Sequence, residues 1–296
     1  MRGLLEPTPL QPSPIWRDGF LKLETFQPTG SFKVRGALSA ISALGPGARM
    51  VTASAGNHGL GVAWASARLR RQATVVVPER SAPPKVAALR SFSVELVEHG
   101  ADYEEAERYA LELAASEGAS FVSAYNDPFV IAGQATIGRE LDAQGAGELT
   151  VVAPVGGGGL LAGLALWSGS RAGVHLAGVE SSESRAVSSA VAAGHIVRVR
   201  VGETIADGLA GNLEPSSITP GLVKAAQLVA VSDDELASAM RWLFTHHGLV
   251  VEGSGAAGIA AVLANKLEIT GQLVVVVTGR NIAAERYARI LKGASG

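Results

Sequence analysis

A chain of 296 residues with 47% hydrophobic and 18% charged side chains is long enough for one large domain or two lobes, and its composition excludes a disordered segment. A net charge of -2 gives no electrostatic case for nucleic acid or an anionic membrane, and the absence of cysteine excludes disulfides, thiolate catalysis and cysteine-ligated zinc. Residues 1–9 lack the charged-then-apolar layout of a signal peptide, and apolar runs such as 160–166 are far too short to span a bilayer, so the expected location is the cytoplasm.

Along the chain, strands alternate with helix-length segments. The apolar run 20–24 reads as a strand and leads into Thr29-Gly30-Ser31-Phe32-Lys33-Val34-Arg35-Gly36, after which 37–41 opens a helix. A lysine bracketed by glycines at a strand-to-helix junction is well placed in a cleft, where partial burial favours the neutral, nucleophilic amine. On this stretch alone a surface lysine in a flexible loop fits equally well. Residues 50–52 form the next strand, followed by Ser54-Ala55-Gly56-Asn57-His58-Gly59 and a helix over 60–69. Gly56 and Gly59 permit close approach of backbone to a ligand, and the helix start offers free N–H donors, which suits a small carboxylate. The plainer reading is an ordinary turn with a capping side chain.

The β-branched run 73–78 predicts a buried strand ended by proline, 82–89 a helix, 94–97 a strand and 103–115 a Glu- and Ala-rich helix. Asp127-Pro128 is an N-cap followed by proline at the first helical position, with Gly145 as the stop. Strand 149–155 runs into Gly156-Gly157-Gly158-Gly159 and a helix. Backbone amides free of Cβ obstruction and aligned with a helix dipole make a phosphate cradle. No Gly-Lys-Ser/Thr follows, so it is not a P-loop. A dinucleotide site is a competing reading, because Gly157, Gly159 and Ala162 match G-x-G-x-x-A and Glu180 follows the next strand.

Further strands are expected at 174–179, 196–201, 229–231, 249–251 and 273–277, with a capping box, Ser232-Asp233-Asp234-Glu235, before the helix 236–245. The last strand ends in Thr278-Gly279-Arg280-Asn281, where Thr278 offers a hydroxyl at the carboxyl end of an apolar strand or else caps the last helix. His246-His247 precedes Gly248 and reads as a helix end rather than a metal site, Glu104-Glu105 as a solvated helix face, and no G-x-S-x-G elbow occurs. The alternation predicts an α/β fold with mainly parallel sheets covered by helices on both faces.

Taken in order, the lysine loop, Ser54-Ala55-Gly56-Asn57-His58-Gly59, the tetraglycine loop and the terminal hydroxyl-Gly-x-Asn resemble the serine/threonine dehydratase family of fold type II pyridoxal-phosphate enzymes, in the tryptophan synthase β-subunit superfamily. Val130-Ile131-Ala132-Gly133-Gln134 and Thr204-Ile205-Ala206-Asp207-Gly208 extend the resemblance over nearly the whole chain. The resemblance implies two interlocked three-layer α/β lobes with pyridoxal 5'-phosphate in the cleft between them. It places a small mobile domain at 49–126, inserted in a large domain of 1–48 and 127–296, and implies a homodimer.

It also implies roles. Lys33 forms the Schiff base and removes the Cα proton. Phe32 packs against the ring, Asn57 bonds its 3-oxygen, Gly156, Gly157, Gly158 and Gly159 hold the phosphate, and Thr278 faces the pyridine nitrogen. Ser54, Asn57 and His58 hold the substrate carboxylate. The phosphate role displaces the dinucleotide reading. No metal is assigned: the family's cation site is matched at Glu180 but carries Ala186 where a second carboxylate is expected. Lys33-Val34-Arg35 follows the dehydratase pattern rather than the Lys-Asp-Arg of threonine and cysteine synthases. Ala55 stands where serine racemases of this group carry a serine acid/base, which favours elimination over racemisation. The chain ends soon after Asn281, so isoleucine feedback through a regulatory domain is not expected. The activity implied is dehydration and deamination of a β-hydroxy amino acid, with L-threonine first, L-serine second and a hydroxyaspartate-like substrate third. The alternatives are a serine or aspartate-type racemase on the same scaffold and, more distantly, a non-enzymatic nucleotide-binding module. Arg280, in place of a glycine, stands close to the expected ring position.

Overall fold

The computed structural model describes residues 3–145 and 147–293. The chain opens with β1 (Leu10–Ser13) and β2 (Gly19–Leu23), an antiparallel pair, and then α1 (Lys33–Ala43). Next come β3 (Met50–Ala53), α2 (Asn57–Leu69), β4 (Ala73–Val77), α3 (Pro83–Arg90), β5 (Glu95–Glu98), α4 (Tyr103–Glu117) and the short β6 (Ser120–Phe121). The remainder is α5 (Pro128–Gln134), α6 (Thr136–Ala143), β7 (Leu149–Pro154), α7 (Gly159–Ser168), β8 (Val174–Ser181), α8 (Ala186–Ala193), α9 (Thr219–Val223), β9 (Gln227–Val231), α10 (Asp233–His247), α11 (Gly253–Leu263), β10 (Gln272–Val277) and α12 (Ala284–Leu291).

Among the described residues these strands form two sheets, of order β1-β2-β10-β7-β8-β9 and β5-β4-β3-β6. Every pairing except β1 with β2 is parallel. β4 and β7 are buried along their full lengths, as strands covered on both faces must be. The fold is therefore mixed α/β with parallel sheets, as the alternation of strand and helix patterns predicts. No helix among the described residues is long and apolar enough to cross a membrane.

Local chemistry explains most boundaries. Asp127 caps α5 through its carboxylate, which accepts from the N–H groups of Phe129 and Val130, and Pro128 takes the first helical position. The Ser232/Glu235 capping box starts α10, and Gly248 ends it in the left-handed region at φ 64°. Two expected strands are absent. Residues 196–201 join no sheet, and 249–251 form a connection into α11. The small-residue helix α11 is buried along nearly its whole length beneath the larger sheet.

The four-stranded sheet is drawn wholly from residues 50–121. α1 lies outside that span, yet Ala37, Leu38 and Ile41 share a core with Met50, Val62 and Val122. The first turn of α1 is fixed by a buried ionic cluster. Arg35 donates to both oxygens of Glu24, at 2.7 and 2.8 Å, and to both oxygens of Glu140, at 2.6 and 2.9 Å. Lys22 spends three donors, on Thr8 O, Glu140 and Gln144. Burial drives Lys22 down and Glu140 pulls it back, while the two cations hold Glu140 below the usual carboxylate range. With every ammonium proton bonded, the cluster is ionised.

Candidate active site

The four motifs singled out in the sequence all follow carboxyl ends of parallel strands, where ligands gather in open α/β sheets. The lysine loop follows β2, the Ser54–Gly59 stretch follows β3, the tetraglycine loop follows β7 and the Thr278 loop follows β10. Since β2, β10 and β7 are neighbours, three of the loops are brought side by side. Phe32 N–H donates to Thr278 O at 3.0 Å, and Arg280 N–H donates to Gly30 O at 3.0 Å. Asn281 Nδ2 donates to Thr29 O at 2.8 Å. Gly30 sits at φ 73°, and a Cβ there would press on the Asn281 side chain, so glycine is required for this closure.

Lys33 begins α1. The residue is only partly buried, but its amine is enclosed, lies 5.3 Å from the centroid of the Phe32 ring and donates to Ala124 O at 2.8 Å. Desolvation lowers the amine to about 8, against a smaller upward pull from Glu252. The amine is thus far easier to deprotonate than a surface lysine, the property a Schiff-base nucleophile needs.

The tetraglycine loop packs tightly. A Cβ on Gly157 would collide with the Tyr125 ring, one on Gly159 with Tyr125 backbone, and one on Gly156 with Gly208 O. Gly158, at φ 86°, is the N-cap of α7 and leaves that terminus without a side-chain cap. First-turn amides of a helix have no intrahelical acceptor and carry partial positive charge, so the loop presents donors suited to a phosphate. Thr278 is buried at the carboxyl end of β10. Glu180, the residue matched to a cation site, accepts from the N–H groups of Val187 and Ser188 and so tethers the first turn of α8.

The fourth motif comes from the other sheet. Ser54 Oγ accepts from Gly56 N–H at 3.1 Å, and Ala55 is half-buried. Asn57 is suspended between two residues of the larger sheet's loops. Its Nδ2 donates to Glu252 Oε1 at 2.7 Å, and its Oδ1 accepts from Asn281 Nδ2 at 2.6 Å. His58 is buried and hydrogen-bonds Val122 O through Nε2 at 3.1 Å, while Nδ1 has no partner. Burial, reinforced by the nearby Lys33 charge, drops His58 to about 3, so the imidazole is neutral.

Sequence reasoning missed several contributors. The Ala124 carbonyl and the Tyr125 ring come from the connection between β6 and α5. Glu214 binds that connection, accepting from Ser123 Oγ at 2.5 Å and Asn126 Nδ2 at 2.7 Å, while its N–H donates to Tyr125 Oη at 2.6 Å. Glu252 is enclosed at the N-terminus of α11; burial pushes it up to about 7, with Asp207 adding to the shift. A carboxylate opening the small-residue run Glu252-Gly253-Ser254-Gly255 was the available signal. Arg280 is exposed, and its guanidinium has no ion-pair partner among the described residues.

An enclosed, readily neutralised lysine, an uncapped glycine-rich helix start and a buried threonine after an apolar strand fit the aldehyde, phosphate and pyridine nitrogen of pyridoxal phosphate. These features define a cofactor-dependent enzyme of the two-sheet α/β type. The comparisons agree: residues 1–279 match the model of the family described as pyridoxal-phosphate dependent enzyme, and the chain belongs to that family. It is 39% identical to the L-threonine ammonia-lyase of Thermotoga maritima over 279 residues, which is 92% of this chain and 69% of that one. Among solved structures, the processed form of threonine deaminase isoform 2 from Solanum lycopersicum superposes with a TM-score of 0.91 at 30% identity, covering 98% of this chain and 84% of that one. Maize serine racemase superposes with a TM-score of 0.90 at 27% identity, covering 98% and 93%. One scaffold thus carries both eliminating and racemising enzymes, and the fold by itself does not choose between them.

Proposed function

We propose that the chain is an ammonia-lyase that converts a β-hydroxy amino acid, L-threonine first and L-serine second, to a 2-oxo acid and ammonia. The observation that carries this reading is the enclosed Lys33 amine, which donates to Ala124 O beside the Tyr125 ring that packs on the glycine loop. Relatives named for threonine ammonia-lyase and threonine deaminase activity support the choice of substrate.

In this reading Lys33 would hold the cofactor through its amine and, with substrate bound, would take the Cα proton. Bound pyridoxal phosphate supplies the electron sink for the charge left at Cα. Phe32 packs against the ring, Asn57 turns its amide toward the 3-oxygen, and the amides of Gly156, Gly157, Gly158 and Gly159 hold the phosphate. The neutral Thr278 hydroxyl, facing the ring nitrogen, moderates the sink, which suits β-elimination better than transamination. Ser54, Asn57 and the uncapped start of α2 receive the substrate carboxylate. His58, being neutral, orients that loop through Val122 rather than adding charge. Ala55 has no proton to transfer, which favours elimination over racemisation.

Residues 49–126 would act as the mobile domain against 1–48 and 127–296, its seam running along α1. The links Asn57–Glu252 and Lys85–Asp207 span the two sheets and would form as the cleft closes and sheds water. A cytoplasmic homodimer completes the proposal; light scattering at working concentration tests the dimer.

The deciding experiment is an ammonia-release assay with added pyridoxal phosphate over threonine, serine and 3-hydroxyaspartate, with chiral analysis of residual substrate. Threonine should yield equal amounts of ammonia and 2-oxo acid. A colourless protein that ignores the cofactor, or inversion without ammonia, overturns the reading.

A further inference from the structure

Glu252 is a buried carboxylate that hydrogen-bonds the asparagine of this site and whose charge acts on the lysine. It occupies the N-cap position of α11, yet its side chain makes no capping bond to that helix. A carboxylate at a helix start is favoured by the exposed amides and the dipole, so its turn away from them is informative. The side chain instead points across the cleft to Asn57 Nδ2. Its backbone N–H is tied to Gly279 O at 3.1 Å, and a Cβ at residue 279 would collide with Oε1. Glycine in Thr278-Gly279 therefore makes the room that the carboxylate occupies. The Asn57 amide is consequently fixed end for end, with Nδ2 toward Glu252 and Oδ1 toward the Asn281 amide.

The surrounding charges are few. Lys33 comes from α1, Asp207 from the 204–210 segment, Lys85 from α3 and the neutral His58 from α2. Lys85 and Asp207 pair with each other at 2.9 Å, and of the two Asp207 acts more strongly on Glu252, pushing it further up. The Glu252 charge opposes the desolvation of Lys33, raising its amine.

We propose that Glu252 is the positioning carboxylate of the site: it orients the Asn57 amide across the two sheets and supplies the countercharge for the ammonium formed when Lys33 accepts a proton. This deepens the reading of Lys33 as base and rests on it. An enclosed lysine gains a unit of positive charge as the Cα proton arrives, and a fixed carboxylate in the same low-dielectric space stabilises that charge without reorganisation. Asn57 is held so that its second amide N–H remains for a ligand. Glu252 touches neither substrate nor reacting atoms in this scheme.

The test begins on cofactor-free protein, so that it reads Lys33 directly. The pH dependence of Lys33 acetylation by trace acetic anhydride, followed by peptide mass spectrometry, should have a midpoint near 8 in the parent. In Glu252→Gln, which keeps an oxygen to accept from Asn57, the midpoint should fall by about one pH unit, a tenfold change in the amine-to-ammonium ratio. Glu252→Asp should restore most of the shift. With cofactor and threonine, Glu252→Gln should lower kcat by about 10- to 100-fold with little change in KM. An unchanged midpoint in folded Glu252→Gln overturns the proposal. Should that variant not fold, the 13C-methyl resonance of reductively methylated Lys33 in the parent should show a second inflection near 7 from Glu252. A single inflection there is equally fatal. Failure of the underlying lyase reading looks different: ammonia release that survives Lys33→Ala, whatever the labelling midpoint does.

Discussion

Two buried clusters of charge lie only two residues apart in sequence, and they have opposite characters. Around Arg35, two cations and two carboxylates are bonded throughout, and Arg35 is raised and Glu140 lowered away from neutrality. Around Lys33, one amine and one carboxylate share an enclosure without bonding each other, and both are drawn toward neutrality, to about 8 and about 7. Burial penalises charge in both places. What differs is whether hydrogen bonds repay it. Where they do, the charges are permanent and the result is a rigid anchor for α1. Where they do not, the groups titrate near working pH, which is the condition for proton transfer.

The sharpest break in this comparison is Lys33→Ala, which removes the enclosed amine. It should lower ammonia release by at least about 1,000-fold while leaving the unfolding midpoint close to the parent's, since no ion pair is lost. The same assay on Arg35→Met should report the reverse character. That substitution leaves the buried Glu24 without its cation and takes one of two from Glu140, and should cost about 3–5 kcal/mol in urea unfolding, with activity falling as α1 loosens. A variant that keeps its stability would show that the cluster is not the anchor.

A milder perturbation lies in the cradle. Gly157→Ala forces a Cβ against the Tyr125 ring and should weaken pyridoxal phosphate binding about tenfold or more, measured by absorbance titration. The pH dependence of cofactor capture gives a smaller effect with a definite sign. The neutral amine is the reactive form, and Lys33 lies at about 8 rather than at its ordinary value of 10.5. Capture rates should therefore climb with pH up to about 8 and level off above it, whereas an exposed lysine would keep climbing to higher pH. The smallest effect is expected at Arg280→Ala. The side chain is exposed without an ion pair, so stability should move by less than about 0.5 kcal/mol and threonine turnover should persist. A large loss there would put the guanidinium in contact with substrate.

Much of the fold could be read from the chain. Strands such as β4 and β7 are short, β-branched and bounded by proline or glycine, and the caps of α5 and α10 are local side-chain chemistry. The two strands read at 196–201 and 249–251 failed for a non-local reason. Their apolar character is genuine, but a strand needs a neighbouring strand to pair with, and sequence does not reveal the neighbour. β1 carries Pro12, which an edge strand tolerates, and it has no alternation of its own to mark it in the sequence.

At the site, the sequence by itself determined the residue types and their order: a lysine between glycines, an uncapped glycine run before a helix, a hydroxyl after an apolar strand. These are local features, since turn geometry and helix starts are encoded within a few residues. Only the tertiary structure decided that the Ala124 carbonyl holds the lysine, that Tyr125 fills the space the glycines leave, that Arg280 faces solvent, and that Glu252 meets Asn57 across 195 positions of chain. Backbone carbonyls carry no sequence signature, and the titration of a buried group depends on which charges are packed beside it. Those neighbours come from distant segments, and packing alone brings them within reach.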